Sequence, residues 1–238
     1  TDALNGLYKA SGTAGYYWAR VWDGINGKPE WFGALRNNNN AGQGAANLAA
    51  FHACRDLCPV VVVEQADYWT NGKLLMQTPN RVLRGVPGDG YNTGTGTRII
   101  STDLANAVVR FGPDAQPATT PDFMRSIGCY GITFMHSAAL TAPALIGDAA
   151  TATATIERQW LFKPYFEKVN AWEPLIGFRT KGVIQSSTKL CKVLRTSAAA
   201  AGADFCWGLF LDGGVWGSGL PGNPSYFDEE FTCEFAPA

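Results

Sequence analysis

The chain has 238 residues, a formal net charge of −1 and only 16% charged residues, below the ~25% that is typical of soluble domains. The sequence has no basic run, so we do not expect it to bind nucleic acid through the release of counterions. No apolar run reaches the ~18 residues that a membrane-spanning helix needs. The 46% of hydrophobic residues and the 27 glycines favour a core of short strands joined by tight turns.

Residues 1–30 predict a loop-rich N-terminal arm or linker. Within it the segment GYYWARVWDG alternates weakly, which indicates one strand or one arm of a hairpin. Its aromatic side chains either pack on the next domain, which we favour, or form an attachment surface for a partner protein. The start carries neither a signal peptide nor an initiator Met, so we expect a processed or trimmed chain.

The polar loop Asn37–Gly44 is followed by a predicted helix over Ala45–Leu57. Pro59 cannot continue this helix and disfavours helical geometry in the residue before it. Four apolar residues fall at helical spacing and predict one buried stripe: Leu48, Phe51, Cys54 and Cys58.

Short β-branched and aromatic runs predict strands throughout the rest of the chain, beginning with residues 60–64, 68–69, 74–76 and 81–84. Residues 126–137 predict a single strand, with Cys129 and Gly131 on one side and Tyr130 and Phe134 on the other. The Ala- and Thr-rich residues 139–157 predict a loop, and residues 227–238 alternate like a last strand that then stops.

Strands of three to six residues that recur without intervening helices argue against a βαβ sheet and favour a solenoid of stacked strands. One helix stands before the first strands. A stacked sheet would otherwise present bare backbone N–H and C=O groups at its edge, so we expect this helix to cap the first coil.

The segment from Trp31 to Gly90 resembles the start of the pectate-lyase-like right-handed parallel β-helix found in bacteriophage tailspikes. The matching pieces are Trp31-Phe32-Gly33-Ala34, the helix Leu48–Cys58, the strand Val60–Val63, Tyr68, and Leu83-Arg84-Gly85. Two features depart from the family pattern. Asn37–Gly44 replaces a Gly-Asp-Gly-x-x-Asp-Asp loop, and Val63–Tyr68 replaces a Pro-rich strand end.

The resemblance implies an all-β fold: a right-handed parallel β-helix with an N-terminal capping helix over residues 31–238, continuing beyond Ala238 in the natural protein. It also implies a homotrimeric part of a virion tail, made in the host cytoplasm. Such a part would recognise, and in the enzymatic case degrade, a bacterial capsule or O-antigen. Its N-terminal side would contact other tail or baseplate proteins. A purely structural tail protein and a secreted carbohydrate-active enzyme stay open as alternatives.

Catalysis is left open, with a glycoside hydrolase favoured over a lyase, and no cofactor is expected. Hydrolysis needs two carboxylates, and stacked strands bring residues that are distant in sequence side by side, so sequence spacing does not identify them. The candidates are Glu157, Glu167, Glu173, Asp204 and Asp212. A lyase would need a base such as Lys168, Arg179 or Lys181, on which no pattern converges.

Aromatic residues beside turns are the better signal for a carbohydrate, because flat rings can stack on sugar faces. The predicted carbohydrate-binding residues are Trp172, Glu173, Trp207, Asp212 and Trp216. Large rings also bury well, so the core is the competing interpretation, most of all for Trp207.

Six cysteines predict buried free thiols rather than disulfides, because no secretory signal precedes them. Cys54 and Cys58 lie near His52 but form no CxxC pair, so no metal site is expected. We expect His52 on the surface of the helix and His136 at the end of a strand.

Overall fold

A computed structural model describes residues 7–10, 17–40, 42–88, 95–113, 124–138, 140, 153–195, 207–212 and 227–235. Within these residues the fold is mostly β, with parallel sheets and one α-helix, α1 (Gln43–Leu57). A 3-10 turn, Pro29–Phe32, precedes the helix. The first two strands, β1 (Tyr8–Ala10) and β2 (Tyr17–Ala19), pair antiparallel, which confirms the predicted hairpin arm.

Most of the remaining strands form three parallel stacks. The first stack contains β3 (Asn26–Gly27), β4 (Val60–Val62), β7 (Val82–Arg84), β11 (Gly128–Tyr130) and β15 (Tyr165–Glu167). The second contains β5 (Asp67–Thr70), β8 (Thr97–Ser101), β12 (Ile132–His136) and β16 (Asn170–Trp172). The third contains β6 (Leu74–Met76), β9 (Val109–Phe111), β13 (Ala154–Gln159), β17 (Ile176–Lys181) and β19 (Trp207–Asp212).

Two long strands, β18 (Ser186–Arg195) and β20 (Phe227–Phe235), continue the first stack with their first halves and the second stack with their second halves. A short pair, β10 (Met124–Arg125) and β14 (Leu161–Phe162), lies outside the three stacks. The chain therefore runs through the first, second and third stacks in that order and returns to the first. Val60, Val82, Gly128 and Tyr165 share one register position, although the stretches of chain between them differ widely in length.

The core is built row by row, because each inward side chain packs against its register partners in the strands on either side. The inner row of the first stack reads Val61, Leu83, Cys129, Phe166, Thr188 and Glu229. The row is apolar up to Phe166, whose ring meets Phe111 edge-on with centroids 5.0 Å apart. It then becomes polar at Thr188 and Glu229.

The predicted single strand over residues 126–137 is wrong. Gly131 breaks it into β11 and β12, which belong to different stacks, so Cys129 and Phe134 both face the core. The break needs glycine: its φ is +66°, and a Cβ there would lie 2.9 Å from the carbonyl oxygen of Gly85. The predicted loop over residues 139–157 is wrong for its last four residues. They belong to β13, which begins at Ala154 and is buried between its neighbours β9 and β17.

Helix α1 covers the first strands, as expected for a cap, and begins two residues earlier than predicted. Its buried stripe is confirmed, with Phe51, Cys54 and Cys58 at most 1% exposed and the Phe51 ring edge-on to Tyr68 at 5.5 Å. Three helix side chains also satisfy backbone groups at the sheet edge. Asn47 Nδ2 donates to the Trp69 carbonyl at 2.9 Å, His52 Nε2 accepts the Leu75 N–H at 3.1 Å, and Arg55 donates to the Leu75 carbonyl.

His52 is therefore an edge-capping group rather than the free surface residue that we expected. The polar loop contributes in the same way. The Asn37 N–H donates to the Asp67 carbonyl at 2.7 Å, and its Oδ1 accepts the Asp67 N–H at 3.0 Å. The backbone groups at the N-terminal end of each stack are therefore satisfied differently. In the first stack β3 pairs with β4, in the second Asn37 and Asn47 bond to β5, and in the third His52 and Arg55 bond to β6.

Candidate functional site

An outward-facing apolar row runs across the second stack. Its members occupy one register position in successive strands: Trp69, Ile100, Met135, Trp172 and Leu194. Their neighbours Tyr68, Phe134 and Val193 belong to the core, and successive side chains of a strand point to opposite faces, so this row faces outward. Trp69, Met135 and Trp172 are each partly exposed, whereas Ile100 and Leu194 are 3% and 0% exposed. We call this set the outer row of the second stack.

A polar row lies beside it, two residues earlier on each strand. Its members are Asp67, Arg98, Thr133, Asn170 and Lys192. Arg98 Nε donates to Asp67 Oδ1 at 2.6 Å, and Asn170 Nδ2 lies 3.3 Å from Thr133 Oγ1. The two rows follow strands that are roughly 4.8 Å apart. Thr133 and Asn170 are at most 3% exposed, so the polar row reaches the surface at Asp67, Arg98 and Lys192.

The structure brings some of the predicted carbohydrate-binding residues to this face. Trp172 lies in the outer row, and Glu173 follows it in a turn with φ +50°, its N–H donating to the Leu194 carbonyl at 2.7 Å. The backbone of Trp207, the first residue of β19, pairs with Ile176, the first residue of β17. Ile176 follows Glu173 around the corner between the second and third stacks. Asp212 pairs with Lys181 at the far end of β19, five residues or roughly 17 Å from Trp207. Trp216 lies outside the described residues.

A charged cluster lies on the outer side of the third stack. Glu157 has Arg110 and Arg179 as register partners on its two sides, and its Oε2 lies 3.0 Å from Lys73 Nζ. The Arg179 guanidinium also stands over the Phe210 ring at 5.7 Å. Glu157 is 8% exposed and Arg110 6%. Glu157 thus forms an ion pair with Lys73 and has an arginine on each neighbouring strand, a convergence that the sequence did not show because these residues are far apart in the chain.

The other candidate carboxylates lie apart from Glu157. Glu167 is on the outer side of the first stack, where it accepts a hydrogen bond from the Tyr165 hydroxyl, and this bond raises the pKa of Tyr165 to about 12. Lys168 Nζ is 4.0 Å from Glu167 and stands over the Tyr130 ring at 5.6 Å. Asp204 lies outside the described residues. No second carboxylate is seen beside Glu157 among the side chains that the structure describes.

The interior contains a charged group of its own, which we call the Arg158 network. The fully buried guanidinium of Arg158 donates to Thr180 Oγ1 at 2.9 Å, Thr188 Oγ1 at 2.8 Å and Ser186 Oγ at 3.2 Å. It forms an ion pair with Glu229 at 3.1 Å. The rings of Phe166 and Phe178 lie 5.3 and 5.5 Å from it. Burial lowers the pKa of Arg158, and Glu229 opposes that shift. Its position inside the core makes the network structural.

Four thiols are buried and free, as predicted: Cys54, Cys58, Cys129 and Cys191, whose pKa values burial raises. Cys233 is free but exposed, which corrects the prediction for that residue, and Cys206 lies outside the described residues. His136 ends β12, as predicted; its Nε2 lies 3.0 Å from the Asn106 carbonyl, and burial lowers its pKa. Across the described ranges no three His, Cys, Asp or Glu side chains form a group that could hold a metal ion. None of the helical residues described forms a helix long and apolar enough to cross a membrane.

No family model matches the chain, and no curated protein matches it. Three chains of solved structures match it, and two of them are described below. One is ORF18 of Geobacillus virus E2, with 14% identity and a TM-score of 0.42 over 71% of this chain. The other, from Parabacteroides merdae, is described as a "putative glycosyl hydrolase" and has 11% identity and a TM-score of 0.46 over 71% of this chain.

The two matches differ in how much of each protein they cover. The aligned region spans 36% of the Geobacillus virus chain and 74% of the Parabacteroides chain. At these identities and TM-scores, the two matches carry no information about the side-chain chemistry of this chain.

Proposed function

We propose that the chain is part of a phage tailspike and binds a bacterial surface polysaccharide along the outer face of the second stack. The observation that carries this proposal is that an apolar row and a polar row lie side by side on this face. An apolar row that includes Trp69, Met135 and Trp172 runs beside a polar row whose partly exposed members include Arg98 and Lys192. A linear polymer would meet the partly exposed Trp69, Met135 and Trp172 in turn, whereas Ile100 and Leu194 in the same row are at most 3% exposed.

Two arguments support the finer architecture, a right-handed parallel β-helix. The chain repeats the order of the three stacks, and each return to a stack is a crossover between parallel neighbours, as from β4 to β7. Such crossovers are right-handed in about 98% of cases, because a right-twisted strand packs back in only that way. The resemblance of Trp31–Gly90 to the capped start of tailspikes adds the viral context. On the same resemblance we propose that the protein is a homotrimer in the virion and that residues 1–30 are the arm that faces the particle.

Degradation of the polysaccharide is the enzymatic extension of this proposal. Glu157 is the best-supported candidate carboxylate because it forms an ion pair with Lys73 and has an arginine on each neighbouring strand. A hydrolase needs a second carboxylate about 5 to 9.5 Å away. The backbone of Asp212 lies two strands across and two residues along from Glu157 on the same stack. New reducing ends would indicate hydrolysis, and unsaturated uronate absorbance would indicate a lyase.

The binding proposal is tested with purified capsular and O-antigen polysaccharides, with dextran as a neutral reference, in isothermal titration calorimetry. We expect one bacterial polysaccharide to bind and the Trp172→Ala variant to bind it roughly tenfold more weakly, as for a central interface aromatic. The matched control is Tyr165→Ala, which removes an aromatic residue that is 42% exposed on the first stack. Its affinity should not change.

Two results would overturn the proposal: no binding to any of the polysaccharides, or an equal loss of affinity in the Tyr165 variant. Sedimentation of the complete protein tests the homotrimer separately. A monomer there would contradict the tailspike assignment while leaving the sugar-binding face untouched.

A further inference from the structure

A cleft of about 460 Å³ lies between the N-terminal segment and the first strands of the first stack. Trp22 and Trp31 line it from the segment, and Val62 and Arg84 line it from β4 and β7. Its volume falls within the ~300–1,000 Å³ that is usual for pockets that bind small ligands. The cleft is on a different face from the second-stack surface, so it requires a ligand of its own.

The polar groups in the cleft divide into satisfied and unsatisfied ones. Asp23 is satisfied: its Oδ1 accepts the N–H groups of Ile25 and Asn26 at 2.8 Å, and its Oδ2 accepts Asn26 Nδ2 at 2.6 Å. These bonds lower the pKa of Asp23. Lys28 is paired with Glu64, and the Trp22 indole N–H donates to the Asn26 carbonyl. These groups of the cleft therefore already have hydrogen-bond or ion-pair partners within the protein.

Two donors in the cleft have no such partner. The guanidinium of Arg84 is exposed and makes no ion pair or side-chain hydrogen bond within the described part of the chain. Trp31 has the guanidinium of Arg20 4.6 Å from its ring centroid, whereas its indole N–H has no acceptor among the described residues. A ligand that fits this pair must offer an acceptor oxygen to the indole N–H and an anionic oxygen pair to the guanidinium.

We infer that the cleft binds a pyranose that carries a carboxylate, such as a uronic acid unit of an acidic glycan. A carboxylate accepts two parallel hydrogen bonds from a guanidinium, and a hydroxyl oxygen of the sugar can accept the indole N–H. An acidic peptide would satisfy Arg84 equally well. A peptide or protein partner typically needs about 800 Å² of contact on each side, more than a small cleft provides.

The test compares two trisaccharides that differ only at C6 of each unit, cellotriose and its fully 6-carboxylated form, cellotriuronic acid. Binding to the complete chain is measured by calorimetry and by the shift of the Trp31 indole N–H signal in NMR. We expect cellotriuronic acid to bind at least about tenfold more tightly than cellotriose, and the Arg84→Gln variant to lose this preference.

The matched control is Lys189→Gln, because Lys189 is another exposed cation in the same outer row of the first stack, three strands from Arg84. Its variant should keep the preference for the acidic sugar. Equal binding of the two sugars, no binding of either, or no effect of Arg84→Gln would overturn the inference. So would a hexaglutamate peptide that binds as tightly as the acidic trisaccharide. None of these results depends on Trp172, so the second-stack proposal is judged separately.

Discussion

The interior beneath α1 and the interior around Arg158 belong to the same stacked strands but are stabilised in opposite ways. Beneath the helix the inward residues are apolar, as with Val61 and Leu83, and polar side chains appear at the edge, where they satisfy backbone groups. Around Arg158 the polar side chains are inside and bond to its Nε and Nη1, whereas Nη2 has no hydrogen-bond partner among the described residues. A stacked fold thus sets its interior chemistry row by row, because each residue has its main neighbours one strand away on either side.

The comparison has an energetic consequence. Apolar rows lose stability in proportion to the volume removed, whereas a buried charge is tolerated only while its partner is present. The two interiors should therefore respond differently to the loss of a single side chain.

The largest effect is expected for Arg158→Met. This change leaves the carboxylate of Glu229 without its cation, so we expect a loss of about 3–5 kcal/mol in the free energy of unfolding. Urea denaturation measures it. The double variant Arg158→Met, Glu229→Leu should recover most of the loss, since an apolar pair replaces both charges. If the double variant is no more stable than the single one, the network is not an ion pair with buried partners.

A smaller effect is expected at the capped edge for Asn47→Ala. The change leaves the Leu35 N–H and the Trp69 carbonyl without partners, at a cost of about 1–3 kcal/mol. Hydrogen exchange of the Leu35 amide should accelerate as well. Asn39→Ala, at an exposed residue in the polar loop, should stay within about 0.5 kcal/mol of the parent. If the two variants lost equal amounts of unfolding free energy, the hydrogen bonds of Asn47 at the sheet edge would not be a specific source of stability.

The smallest effect is a dependence on pH at the cap. Burial and the nearby Arg55 lower the pKa of His52 below its ordinary value of 6.5, and Asp56 opposes the shift. The folded state thus prefers the neutral imidazole, so this contribution to stability is present above pH 6.5 and is lost as the pH falls through that value and below. His52→Gln should flatten the dependence in urea titrations across this range. An unchanged slope would show that the loss of stability comes from other groups, such as His136, whose pKa burial also lowers.

The helix and its stripe could be predicted because both depend on residues three and four positions apart. The strands could be located by the same local reasoning. The rows of register partners could not be predicted in this way. Glu157 is far in sequence from both Lys73 and Arg110, and only the strand register places them side by side. Gly131 shows the other limit: an alternating pattern continues through it, yet the corner there sends the two halves to different stacks.

The predicted binding residues divide in the same way. Trp172 could be recognised as a ring beside a turn, but its companions Trp69 and Met135 were missed because they share only a register position with it. Asp204 and Trp216 stay predictions from sequence.

The uneven lengths of chain between register partners have a consequence for how such a protein diversifies. Val60, Val82, Gly128 and Tyr165 keep their alignment whatever the length of the segment that joins them. The closure entropy of a longer loop rises only slowly with its length. Corners can therefore accept insertions, and new recognition loops can be acquired by recombination, while the strands that hold them remain interchangeable modules.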